Sequence, residues 1–185
     1  AEDTLLIFTT DHGLSVGQHG FWGHGGSCFP SNLHRAAHSI PLIVRQPGIT
    51  PDGERSALMV SNMDLFATVL DHVDVTLPKM DEVVPSRSLL PVIRGETLAN
   101  WGADAVFSEQ EETRVIRTPK WALFKRFQNE AAPALEDELY DVEVDPMETN
   151  NLSGNSELAE IEAQLNQMLD EFFAQHVNPK ADLWS

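Results

Sequence analysis

The chain opens on a continuous apolar, β-prone run, Thr4-Leu5-Leu6-Ile7-Phe8-Thr9, whose lack of polar alternation predicts a strand buried on both faces of a parallel sheet. Strands of that kind lie among neighbours, so the expectation is that the chain forms the C-terminal part of something larger. The run has no basic flank and no small-residue cleavage site, so it does not read as a signal peptide. Pro41-Leu42-Ile43-Val44-Arg45 predicts a second short buried strand, stopped by Pro47-Gly48. Ser61 or Asn62 can cap a helix from about Met63 to His72, with Leu65, Phe66, Val69 and Leu70 on one face. A shorter helix is expected around Ser88 to Arg94, ending at Gly95. Strands alternating with helices point to an α/β sheet with helices on its faces.

Further along, the pattern changes. Ala105 to Ser108, Thr113 to Arg117 and Trp121 to Lys125 read as short strands separated by turns, with Thr118-Pro119-Lys120 as a hairpin connection and Glu138 to Asp141 as a fourth strand. From about Ser156 to His176, Leu158, Ile161, Leu165, Met168, Leu169 and Phe172 recur at spacings of three and four, the apolar stripe of one long helix. The expected organisation is an α/β part over residues 1–100 and a small α+β subdomain over 101–185, an antiparallel sheet with one long C-terminal helix. The sequence shows no internal repeat.

Between the first two strands the grammar breaks down. Residues 11 to 38 hold five of the seven histidines and six of the eleven glycines, a density that predicts a long loop held against something rather than a regular helix. Charge narrows the partners: 12 Lys and Arg against 29 Asp and Glu leave a net charge of −17, which argues against nucleic acid or an anionic membrane surface. No apolar run approaches the ~18 residues of a transmembrane helix. The single cysteine, Cys28, excludes an internal disulfide framework and a Cys-rich zinc site.

Candidate chemistry sits in Thr9-Thr10-Asp11-His12-Gly13, at the end of the first strand. In open α/β sheets ligands gather at the carboxyl ends of strands, and a carboxylate beside an imidazole can offer oxygen and nitrogen to one divalent cation while a glycine turns the backbone away. On spacing alone, Asp11 capping a turn with His12 as an ordinary polar neighbour is an equal reading.

The order of segments tips the balance. Thr10-Asp11-His12-Gly13, then Gly17-Gln18-His19-Gly20-Phe21-Trp22-Gly23-His24, then Pro41-Leu42-Ile43-Val44-Arg45-Gln46-Pro47-Gly48 closely resemble the sulfatases of the alkaline-phosphatase superfamily. The resemblance continues through Asn62 to Asp71, Ser86 to Gly95, Glu138-Leu139-Tyr140-Asp141 and Asp145-Pro146-Met147-Glu148-Thr149-Asn150-Asn151-Leu152. It implies the C-terminal part of a mixed sheet sandwiched by helices. It also implies Asp11 and His12 as ligands of calcium, or of magnesium or manganese, beside a sulfate ester, with carbohydrate sulfates favoured. His24 falls where the family usually has a lysine that binds the sulfate and the leaving oxygen, and a histidinium could donate there or act as general acid. His19 matches a family histidine that more often shapes the loop, with substrate binding as its alternative role. His34, Arg35 and His38 either line a substrate subsite or form a solvated helix face, and His72 and His176 read as structural.

By the same resemblance, the formylglycine nucleophile, the other metal-binding carboxylates and the remaining sulfate-binding groups belong to an N-terminal portion, the expected partner. The isolated chain is then expected to be inactive, and the family habit favours a periplasmic or secreted location. Cys28-Phe29-Pro30-Ser31-Asn32 only partly matches the family's C-x-P-x-R nucleophile signature: Asn32 replaces the arginine, and the position follows the Asp-His pair instead of preceding it. Cys28 is therefore read as a small hydrophobe. Two alternatives keep the scaffold: a phosphonate or phosphate ester hydrolase, and a non-catalytic binding or assembly module.

Overall fold

The computed structural model describes residues 3–25, 28–76, 84–96, 104–128, 134–177 and 182. Its elements run in the order β1 (Leu6–Phe8), β2 (Ser15–Val16), β3 (Trp22–Gly23), α1 (Arg35–His38), β4 (Ile43–Arg45) and α2 (Asp64–His72). Then come α3 (Leu90–Ile93), β5 (Val106–Gln110), β6 (Thr113–Arg117), β7 (Trp121–Arg126), β8 (Glu138–Asp141) and α4 (Ala159–His176). Two units result: Ala1–Asp11 with Ile40–Asp104, and His12–Ser39 with Ala105–Ser185. The expected boundary at residues 100 and 101 lies outside the described residues. Residues 12–39, expected to continue the first stretch, instead join the second unit, because their buried side chains pack on β6, β7 and β8.

In the first unit β1 pairs with β4, Phe8 opposite Ile43 and Leu6 opposite Arg45. The pairing is antiparallel, unlike the parallel neighbour expected for β1; an unbroken apolar run sets a demand for burial without setting strand direction. One face of the pair carries Leu6, Phe8 and Ile43, all exposed among the described residues. α2 is tied at its start by Asp64, whose carboxylate accepts the Ser61 N–H (2.9 Å) and the Arg87 N–H (2.9 Å). The expected cap Asn62 donates its amide to the Thr10 carbonyl instead, and Ser61 Oγ accepts the Met63 N–H. Thr68 Oγ1 donates to Asp64 O and accepts the Leu89 N–H, which joins α2 to the segment entering α3. Leu89, Leu90 and Ile93 form the small core with Leu42, Val44, Val60 and Leu65. Of the expected apolar face of α2, Phe66 and Val69 stay exposed.

The second unit is built on an antiparallel sheet in the order β5-β6-β7-β8. Side chains alternate across it. Ile116, Leu123 and Leu139 lie under Leu165 and Leu169 of the expected α4 stripe and under Phe173, which the stripe does not include; the expected Phe172 is partly buried beside them. On the other face Val115, Ala122, Phe124 and Tyr140 meet Leu33, which comes from the glycine-rich segment. That segment is therefore the cover of the sheet's second face, and its attachment decides where its histidines sit.

Gly13 shows how close the attachment is. Its N–H donates to Ala37 O at 2.7 Å, and a Cβ placed there would lie 2.2 Å from Ala36 O. Gly13→Ala is expected to cost about 1–3 kcal/mol, the usual cost of overpacking. A lower midpoint of urea unfolding with unchanged slope checks it.

Candidate functional site

Buried ion pairs fasten the segment to the sheet. Glu148, 1% exposed, accepts from His34 Nδ1 (3.1 Å), the Arg35 N–H (2.9 Å) and the Arg117 guanidinium. Burial alone would raise its pKa, but the His34 hydrogen bond, the Arg117 charge and the Arg35 N–H together hold it down to about 2. A second set lies beside it. Glu112 accepts from Ser31 N (2.7 Å) and Ser31 Oγ (3.0 Å), while Arg126 donates to Ser31 O (3.0 Å) and Thr113 Oγ1 (2.6 Å) and pairs with Glu138 at 2.5 Å. Burial acts on Glu112 in the same upward direction and the Ser31 and Thr113 hydrogen bonds outweigh it, so its carboxyl also titrates below the ordinary range. Among the described residues, no buried side-chain polar atom lacks a hydrogen-bond partner.

His34 is held inside this network and is not the solvated residue that was one expectation for it. Only 4% exposed, it lies between Glu148 and Glu138, the second at 3.6 Å from Nε2. His19 stacks on its outer face, centroids 3.7 Å apart and planes 2° from parallel. His19 Nε2 donates to Met147 O at 2.9 Å. Contact with the stack removes that face from water and, with the nearness of His34, pushes the His19 pKa below its ordinary value against the pull of Met147 O, Glu148 and Glu138. His19, His34 and Glu148 together offer ligand atoms within 4.8 Å of one another. Parallel stacked rings, however, keep their in-plane lone pairs in separate parallel planes instead of converging on one ion, and Arg117 already occupies Glu148. The trio is a structural joint.

Asp11 ends the first segment of one unit and His12 opens the other, both exposed. Thr10 Oγ1 donates to Asp11 Oδ1 at 3.1 Å. His12 Nδ1 donates to Gly13 O at 2.8 Å, a bond that puts the lone pair of the neutral ring on Nε2. The exposed His24 ring lies 4.5 Å from that of His12, tilted by 34°. The structure thus gathers the candidate histidines in two pairs, His12 with His24 and His19 with His34. Cys28 is half-buried and donates Sγ–H to Gly25 O at 3.0 Å. No local spacing marks Glu148, Arg117, Glu112, Glu138 and Arg126 as partners; Asp145-Pro146-Met147-Glu148 marks the place without revealing what the carboxylate holds.

Residues 30–175 match the family model described as N-sulphoglucosamine sulphohydrolase, C-terminal. The chain belongs to this sulfatase C-terminal family. It is 30% identical to the N-acetylglucosamine-6-O-sulfatase of Bacteroides thetaiotaomicron over 98% of its own length and 32% of the relative's. With the choline-sulfatase of Rhizobium meliloti it shares 29% identity over 83% of its length and 28% of that enzyme's. The sulfatase chain therefore spans about a third of the length of the curated relatives it matches. Among solved structures, one in complex with its substrate D-glucosamine-2-N,6-O-disulfate aligns with 94% of the chain and 35% of its own, at a TM-score of 0.79 and 29% identity. The phosphonate monoester hydrolase of Agrobacterium radiobacter, at 24% identity and a TM-score of 0.76 over 95% of the chain and 36% of its own, has the same fold. The α/β architecture expected from the motifs is thus that of a sulfatase's C-terminal part.

Proposed function

We propose that this sulfatase portion supplies half of a divalent-cation and sulfate site to a sulfuric ester hydrolase acting on a sulfated carbohydrate. The observation that carries the reading is His12. It follows Asp11 directly, just beyond β1, it has its Nδ1 fixed on Gly13 O, and its ring lies beside His24. A carboxylate oxygen with an imidazole Nε2 suits calcium, magnesium or manganese. Bound there, the cation neutralises sulfate oxygens and stabilises charge in the transition state. Asp11 and His12 would hold it, Gly13 lets the backbone turn close behind them, and His24 would donate to the sulfate or to the leaving oxygen. The sulfated sugars in the names of its relatives support a carbohydrate ester.

The nucleophile, a formylglycine by family resemblance, is expected in the portion corresponding to the remaining two thirds of those relatives. The exposed apolar face of Leu6, Phe8 and Ile43 is the surface offered to that portion. The test pairs the two portions and follows hydrolysis of N-acetylglucosamine 6-sulfate and of a matched phosphate monoester with calcium. Sulfate release that stops on chelation is the expected result. Faster phosphate turnover overturns the sulfatase reading in favour of a phosphate or phosphonate hydrolase, and no turnover with Asp11 intact overturns both in favour of a non-catalytic module.

A further inference from the structure

Charge in the second unit is heavily committed. Among its described residues Arg114 pairs with Glu109, Arg117 with Glu148, Lys120 with Asp141, Lys125 with Asp170 and Arg126 with Glu138. Arg35 is the exception. Its backbone N–H is tied to Glu148 at 2.9 Å, yet within the described residues its exposed guanidinium meets no carboxylate. In a chain with 29 acidic against 12 basic side chains, an arginine with no carboxylate partner among the described residues is a cation kept available.

It borders a cleft of about 400 Å³, within the size range of ligand pockets. Gln18 and Ser39 share that rim. Gln18 Oε1 accepts the Val16 N–H at 2.6 Å, which leaves the two amide N–H groups as donors. Ala36, Pro146 and the exposed Met147 add apolar surface to the lining, and His19 lines it too. Glu148 reaches the cleft as well, but its oxygens are taken by His34, the Arg35 N–H and Arg117. The cleft thus combines N–H and O–H donors with a little apolar surface, a lining that suits a sugar ring bearing an oxyanion. The ring's apolar face would rest on Pro146 and Met147, and the oxyanion would meet the planar fork of Arg35.

We propose that this cleft is a subsite for a second anionic group of the substrate, a sulfate or carboxylate carried on a sugar ring, apart from the ester that is cleaved. The proposal rests on the sulfatase reading above. Arg35 is its specificity-determining residue and Gln18 its second donor.

The test is a titration of the isotope-labelled chain with glucosamine 6-sulfate, glucuronate and neutral N-acetylglucosamine, followed by NMR at the Arg35 Nε–H and the Gln18 side-chain amide. Both anionic sugars are expected to shift these signals with Kd in roughly the millimolar range, and Arg35→Ala to weaken binding about tenfold or more. A preference between sulfate and carboxylate names the source of the oxyanion. Arg35→Lys, which keeps the charge and loses the fork, is expected to fall between. Equal shifts with the neutral sugar, no shift at either residue, or an Arg35→Ala chain that binds as tightly as the original overturns the subsite. Calcium uptake by the same samples, and turnover by the two paired portions, report on Asp11 and His12 separately. Intact turnover with no anion binding at Arg35 overturns the subsite alone, whereas lost turnover overturns the reading beneath it.

Discussion

Replacing Glu148 by alanine is expected to destabilise the second unit by about 3–5 kcal/mol, the cost of leaving buried charge without its partner. Arg117 and His34 both depend on that carboxylate, and so does the Arg35 N–H. Chemical denaturation followed by tryptophan fluorescence reads the loss. Glu148→Gln separates charge from shape, and pH separates them further. Burial pushes the Glu148 carboxyl up, but the His34, Arg117 and Arg35 contacts prevail and lower it from 4.5 to about 2. A folded-state pKa below the unfolded one means that the native chain binds fewer protons. Its stabilisation is therefore complete above about pH 5 and is lost as the pH falls towards 2, an effect of about 3 kcal/mol. Glu148→Gln should flatten the pH dependence of stability across that window. A variant with the same acid slope as the original chain would show that Glu148 is not the anchor.

The same carboxylate shows what the sequence could and could not convey. The four strands from Val106 to Asp141 and the stripe of α4 were legible because alternation, turn residues and three-four spacing are local signals. The pairing of β1 with β4 was not, since an apolar run states only that a strand wants cover. Least legible was the glycine-rich segment. What fixes it are contacts across long stretches of chain, Ser31 to Glu112 and His34 to Glu148, and no spacing rule connects such residues. For that reason His34, a candidate substrate ligand by sequence, is found buried between two glutamates. Arg35, the next residue, meets no carboxylate among the described residues, and its side chain is the one assigned to the proposed subsite. The Asp11-His12 pair and His24 were singled out by ordered motifs alone, and the structure adds that the His12 and His24 rings lie 4.5 Å apart.

In the paired enzyme, Asp11→Ala is expected to remove divalent-cation binding and to lower kcat by roughly a thousandfold, equivalent to about 4 kcal/mol of lost transition-state stabilisation. His12→Ala should do much the same, because in the proposed site its Nε2 would be the other donor that this chain contributes. His24→Ala should behave differently. With Asp11 and His12 intact, calorimetry with calcium should remain near that of the unaltered enzyme while turnover falls, since His24 is assigned to the sulfate and the leaving oxygen and not to the ion. His24→Lys supplies an ammonium where the resemblance implies a lysine and is expected to restore most of that turnover. Stability is a useful control here, because Asp11, His12 and His24 are all exposed and take no part in the Glu148 or Glu112 networks. Their alanine variants should unfold at nearly the same urea concentration as the original chain. Calcium binding that survives in Asp11→Ala would remove this residue from the metal site, and with it the main support for the hydrolase reading.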